Sequence, residues 1–341
     1  MSTAPSLTFR SLLDALLTRS GLSRPVTELT GPTGPVRALM VAALARRSGV
    51  DMVLHVVPAD ADIEDAVADI RFFLGALDSL ADTAAEQQVL PLPSLQIDPY
   101  RGFLPHLKVA SARARALHAM AGGTARVIVA SSTALLPRVP DPVALFLASR
   151  EIRPGVDLDP HHLAQALAAG GYEPQDPVDA HGEFCRRGGI LDVFPPGEAM
   201  PVRIEFVGDT VESIRRFDAG TQRSVETLDQ FVILPIREDG LATATDSAPS
   251  MDEAAATQPS TVFEYLRSRQ THIVVSEPED VQKQIESAWE QTVASYAEWS
   301  TKPAGRLRRP PAELMLSWAE VSPELSSSVI LKELEIGRAH V

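Results

Sequence analysis

The order strand, Gly/Pro loop, small-residue helix, strand between residues 26 and 57 constrains the fold more than any other feature of this sequence. Residues 26–29 read as a short strand, residues 31–35 as a loop, and residues 36–47 as a helix stopped by Gly49. Residues 52–57 (MVLHVV) are an apolar run of strand length. A βαβ unit of this kind predicts a parallel sheet with crossover helices. Upstream, the stripe Phe9, Leu12, Leu13, Leu16 and Leu17 predicts a helix over residues 8–17, with Gly21 placed to end it. Downstream, Asp60 and Asp62 cap a helix running to about Leu80, and residues 89–92 form a further strand. A Pro-rich loop with Pro99, Tyr100 and Pro105 then leads to an Arg- and Ala-rich helix over 110–121 and a core strand over 127–130.

The texture changes after Pro137 and Pro140, which places a domain boundary near residue 140. A short helix over 161–169 precedes three runs, 189–194, 201–208 and 210–218, separated by the turn residues Pro196, Gly197, Gly208 and Asp209. They predict an antiparallel meander. Val202, Ile204 and Phe206 alternate with Arg203 and Glu205, so this strand buries one face and offers charge on the other. Residues 239–259, rich in Ala, Thr, Ser and Asp, read as a surface linker. Helix, strand (272–275) and helix signals between residues 261 and 289 then return the chain to the first layer. The terminal residues 335–341 follow no capping or periodic logic and are expected to be a non-native tail on an N-terminal piece of a longer protein.

Composition narrows the function classes. With 341 residues, 45% apolar and 22% charged, and a mean hydropathy near zero, the chain is globular, with room for two or three domains. No run reaches the roughly 18 apolar residues of a membrane span, and residues 1–10 lack a signal-peptide pattern, so a cytoplasmic protein without membrane contact is expected. A net charge of −14 repels phosphate, and an aromatic content of 5% leaves little for stacking on bases, which favours protein partners. The single cysteine, Cys185, can form neither an internal disulfide nor a multi-thiolate metal site and reads as a half-buried strand residue.

Gly31, Pro32, Thr33, Gly34, Pro35, Val36, Arg37 and Ala38 stand where a phosphate-binding loop of the G-x-x-x-x-G-K-[ST] type belongs. Its chemistry is missing. Pro35 has no N–H for phosphate, Val36 resists the left-handed backbone open to glycine, Arg37 replaces the lysine ammonium, and Ala38 lacks the hydroxyl that holds Mg²⁺. The loop therefore reads as a relic without nucleotide binding. Asp60, Asp62, Glu64 and Asp65 lack the glycine and the twelfth-position acid of a Ca²⁺ loop and read as helix-start acids. His161 and His162 point about 100° apart on a helix and make no metal site. Arg113 and Arg115 read as a solvated helix face, and no catalytic residue or metal ligand set is legible.

The most specific stretch is HGEFCRRGGILDVFPP (181–196), continued by PVRIEFVGD (201–209), VESIRRFD (211–218) and TQRS (221–224). It resembles the module shared by the excision-repair protein UvrB and the N-terminal part of the transcription-repair coupling factors. The departures are Val207, where the family has a second Phe, and Cys185, where UvrB carries Arg. More weakly, residues 99–115 are similar to the coupling factors' P-Y-x-x-F-x-P-H stretch. UvrB keeps an intact phosphate loop and an aromatic-rich DNA-probing hairpin; the coupling factors have lost both here, and so has this chain.

The resemblance implies an α/β fold: a degenerate phosphate-loop, helicase-like parallel sheet over residues 1–140 and 237–334, with an antiparallel β-rich UvrB-interaction-type domain, 141–236, inserted into it. It further implies that the inserted domain docks onto UvrA through Arg187, with Arg186, Phe184, Leu191 and Arg203 as neighbours on the same strands. ATP, Mg²⁺, RNA polymerase and double-stranded DNA are implied only for domains beyond this chain, as is an intramolecular contact that masks the UvrA surface. The other reading is a UvrB-like damage-binding protein with residual nucleotide-dependent activity.

Overall fold

The computed structural model describes residues 11, 28–196, 198–238, 259–301 and 309–333. The expected helix over 8–17 with its stop at Gly21, the first residues of the expected strand over 26–29, Gly197, residues 239–258 of the linker and the tail 335–341 lie outside the described residues, Ser11 apart. The expected parallel sheet forms. β1 (Glu28–Thr30), β2 (Met52–Val57), β3 (Val89–Leu92), β4 (Val127–Ser131), β13 (Thr271–Ser276) and β14 (Val329–Lys332) line up in the order β1-β14-β13-β2-β4-β3. Every neighbouring pair in it is parallel. Two strands thus come from residues beyond 259, and the β-rich segment leaves and rejoins the sheet between β4 and β13.

Strand periodicity sorts the core into two layers. In β2 and β4, Met52, Leu54, Val56, Ile128 and Ala130 face one layer, while Val53, Val57, Val127 and Val129 face the other. Helices α1 (Gly34–Ala45) and α2 (Ile63–Asp78) cover the second layer through Leu39, Ile70 and Leu74. A short helix, α3 (Asp82–Gln88), leads from α2 into β3. The first layer is covered by α4 (Leu107–Gly122), α8 (Pro278–Ser300) and α10 (Trp318–Leu325), through Leu117, Ile285 and Val321. Buried on both faces, β2 is apolar at every position except His55, as parallel strands between helices are.

The second sheet contains the expected meander. β6 (Glu173–Pro174), β7 (Glu183–Arg187), β8 (Ile190–Val193), β9 (Val202–Val207), β10 (Thr210–Phe217) and β11 (Ser224–Thr227) stand in sequence order. All are antiparallel except β6 with β7. Val202, Ile204 and Phe206 are buried, as the alternation predicts. They pack with Leu163 and Leu167 of α6 (Pro160–Ala169) and with the ribbon of β5 (Arg150–Ile152) and β12 (Phe231–Ile233).

Three local expectations change. The helix α5 (Pro142–Ala148) stands where only a domain boundary was expected; Asp141 caps it by accepting from Val143 N and Ala144 N, and Pro142 fits its first turn. The same tolerance starts α1 at Gly34 rather than Val36. Most consequential, Arg113 is not on a solvated face: it is fully buried, forks onto Glu238 (2.5 and 2.9 Å), and donates to Pro93 O and Ala134 O. Arg113 shares its helix face with the buried Ala110, Ala114 and Leu117, so helical spacing turns it inward, and pairing plus carbonyl acceptors offset its desolvation. Arg115 is half-buried and donates to Glu86 O.

Candidate functional site

The hairpin of β7 and β8 is where the sequence placed its binding residues. It turns at Gly188 (φ +60°) and Gly189, where a Cβ would come within 2.9 Å of Phe206 O. Glycine is required at the second position by this close approach and suits the first by its backbone. The turn sets a register in which Phe184 pairs with Val193, Cys185 with Asp192, Arg186 with Leu191 and Arg187 with Ile190. Paired residues share a face, so Cys185, Arg187, Ile190, Asp192, Arg203 and Glu205 lie on one side and Phe184, Leu191, Val193 and Ile204 on the other.

This parity divides the predicted site residues. Phe184 and Leu191 are buried in the core against α6, on the face opposite Arg187. Arg186 is exposed at the strand end, and Arg187 is 47% exposed. Arg203 is brought next to Arg187 by a carboxylate that sequence reading missed. Asp192, with no exposed surface, accepts from Arg203 Nε (2.7 Å), Arg203 Nη2 (2.8 Å) and Arg187 Nη2 (2.9 Å). The hydrogen bond to Asp192 holds both guanidinium groups more firmly protonated than usual. Beneath them Arg203 stacks 4.6 Å over the Phe217 ring, which packs with Val178, Phe194 and Cys185. Cys185 is half-buried on its strand, with its thiol pKa pushed up first by burial.

The loop over 31–38 carries a different arrangement. Arg37 donates from Nε to Pro32 O (3.0 Å) and from Nη2 to Glu277 Oε1 (2.5 Å). Glu277 has a left-handed backbone (φ 49°) at the N-cap of α8, and the same oxygen accepts from Glu333 N. Gly31 N donates to Lys332 O, which ties the loop to β14. Below lies His55, buried, with Nε2 2.9 Å from Ser276 Oγ; burial and the Arg37 charge lower its pKa to about 4. Thr33 makes no side-chain cap, and Ala38 is buried. The chain's own carboxylate, Glu277, therefore takes the Arg37 guanidinium. His161 and His162 are exposed in the first turn of α6, capped by Asp159.

Comparison with known proteins is consistent with this geometry. Residues 151–238 match the UvrB interaction domain family. The chain is 36% identical over 228 residues to the transcription-repair-coupling factor of Myxococcus xanthus, covering 66% of this chain and 18% of that protein. It is 27% identical over 319 residues to that of Bacillus subtilis, covering 92% of this chain and 26% of that protein. It is 31% identical over 112 residues to UvrABC system protein B of Pseudothermotoga lettingae, covering 33% of this chain and 17% of that protein. The chain spans about a fifth to a quarter of the length of these two coupling factors. Residues 151–238 are thus a UvrB interaction domain, borne by a chain that is a relative of the transcription-repair coupling factors.

Proposed function

We propose that this chain is the N-terminal, UvrA-recruiting module of a transcription-repair coupling factor, acting in the cytoplasm to link stalled RNA polymerase to nucleotide excision repair. The observation that carries the reading is the match of residues 151–238 to the UvrB interaction domain, on whose hairpin Arg186 and Arg187 are exposed. Arginine makes bidentate contacts with carboxylates and is frequent at interface hot spots. UvrA is the partner on this reading. RNA polymerase and double-stranded DNA are met by other parts of the coupling factor, which drive ATP-dependent translocation, and an intramolecular contact with those parts masks the recruiting surface.

The chain itself recruits and does not catalyse. Its parallel sheet is a degenerate phosphate-loop layer, a reading supported by the strand-loop-helix start and by the residues of the loop. They do not fit a nucleotide: Pro35 and Ala38 lack the donor and the hydroxyl, and Arg37 is spent on Glu277. No cofactor is used by this chain on this reading. Co-elution of the chain with UvrA in size-exclusion chromatography tests recruitment, and separate elution of the folded chain refutes it. Saturable, Mg²⁺-dependent binding of a fluorescent ATP analogue refutes the degenerate-loop reading.

A further inference from the structure

Asp192 lies beneath the exposed Arg187 and beside the largely buried Arg203, with both carboxylate oxygens engaged. Oδ1 is held by Arg203 Nε, and Oδ2 by Arg203 Nη2 and Arg187 Nη2. Arg203 is itself packed on Phe217, so the carboxylate is fixed from below and cannot swing. Arg187 spends one nitrogen on Asp192, while its Nη1 lies 3.2 Å from Asp176, a carboxylate that is 55% exposed. The two acids therefore play unequal parts. The buried one is built into the sheet, whereas the exposed one meets Arg187 at the surface, where ion pairs contribute little, and otherwise accepts from the Cys185 thiol.

Resting on the UvrA-recruiting reading, we propose that Asp192 is a positioning residue: it holds the Arg187 fork at a fixed angle so that a carboxylate of UvrA takes the place of Asp176 on Nη1. A side chain locked before binding loses less rotamer freedom on association, and a planar fork serves two carboxylates at once where an ammonium offers a single charge. Arg186, which has no side-chain partner among the described residues and lies on the other parity, is outside this arrangement.

The test is a double-mutant cycle, titrating the whole chain into UvrA as wild type, Arg187→Ala, Asp192→Asn and the double variant, with circular dichroism to verify folding. Each single change is expected to weaken binding about tenfold, and the double variant to be within about twofold of Arg187→Ala, because Asp192 acts through Arg187. A tenfold loss from Asp192→Asn that persists without Arg187 identifies a merely structural role and overturns the proposal. Asp192→Asn at wild-type affinity overturns it too, while recruitment through Arg187 stands. Absence of wild-type binding overturns recruitment itself and the proposal with it. Two further variants leave Asp192 in place. Arg187→Lys is expected to lose about tenfold, and Asp176→Asn to lose nothing; wild-type affinity for the first, or a tenfold loss for the second, contradicts the fixed fork.

Discussion

The loop over 31–38 and the β7–β8 hairpin each set an arginine against a carboxylate of the same chain, with opposite results. Arg37 and Glu277 are 14% and 24% exposed, and the acid is fixed by a backbone N–H, so the pair closes the loop from within. At the hairpin the acid is sealed and the arginine is 47% exposed, so the pair offers a cation outward. Arg113 is the limiting case of closure, with no exposed surface and every contact internal. Which partner is buried decides whether such a pair serves the fold or a second molecule.

Removing the acid of the most enclosed pair should have the largest effect. Glu238→Ala leaves Arg113 buried without its counter-charge and is expected to cost about 3–5 kcal/mol, read from denaturant unfolding. A loss below about 1 kcal/mol would show that the pair is not holding α4 to the segment that leaves the β-rich unit. Next is His55 under the loop. Its folded pKa of about 4 lies below the 6.5 of an unperturbed histidine, so the unfolded chain binds the proton more readily. Stability is then full above pH 6.5 and falls as the pH drops toward 4, by roughly 3 kcal/mol in all. His55→Gln, which keeps a partner for Ser276, should flatten the dependence of urea midpoints between pH 7 and 5; an unchanged slope would place the proton elsewhere.

Smaller effects separate the two arginines. Arg187→Ala is expected to weaken UvrA binding by about 1–2 kcal/mol while shifting stability by less than about 1 kcal/mol, as suits a half-exposed pair. Arg37→Ala should leave UvrA affinity unchanged in the same titration. Smallest, Glu277→Gln should lower stability by about 1 kcal/mol and confer no binding of a fluorescent ATP analogue, because Pro35 and Ala38 remain. Gain of nucleotide binding by this variant would show that the internal acid alone had closed the loop.

Periodicity made much of the fold legible. The apolar runs over 52–57 and 89–92 are strands with those bounds, and the Val202, Ile204, Phe206 alternation gave the buried face of β9. What escaped was set by partners distant in sequence. Arg113 reads as polar surface until Glu238, 125 residues away, is brought to it, and Glu277 meets Arg37 across 240 residues. At the hairpin the basic residues are visible in the sequence, whereas the carboxylate near them depends on strand parity across the Gly188–Gly189 turn. Counting outward from it puts Phe184 and Leu191 in the core and Asp192 beside Arg187, and would have found the missed carboxylate.

Recruitment of UvrA by the β-rich unit through the half-exposed Arg187 is decided by calorimetric titration of the chain into UvrA, wild type against Arg187→Ala. Micromolar or tighter binding that the variant weakens by about 1–2 kcal/mol is expected. No binding by the folded chain, or equal affinity of the two proteins, would contradict it.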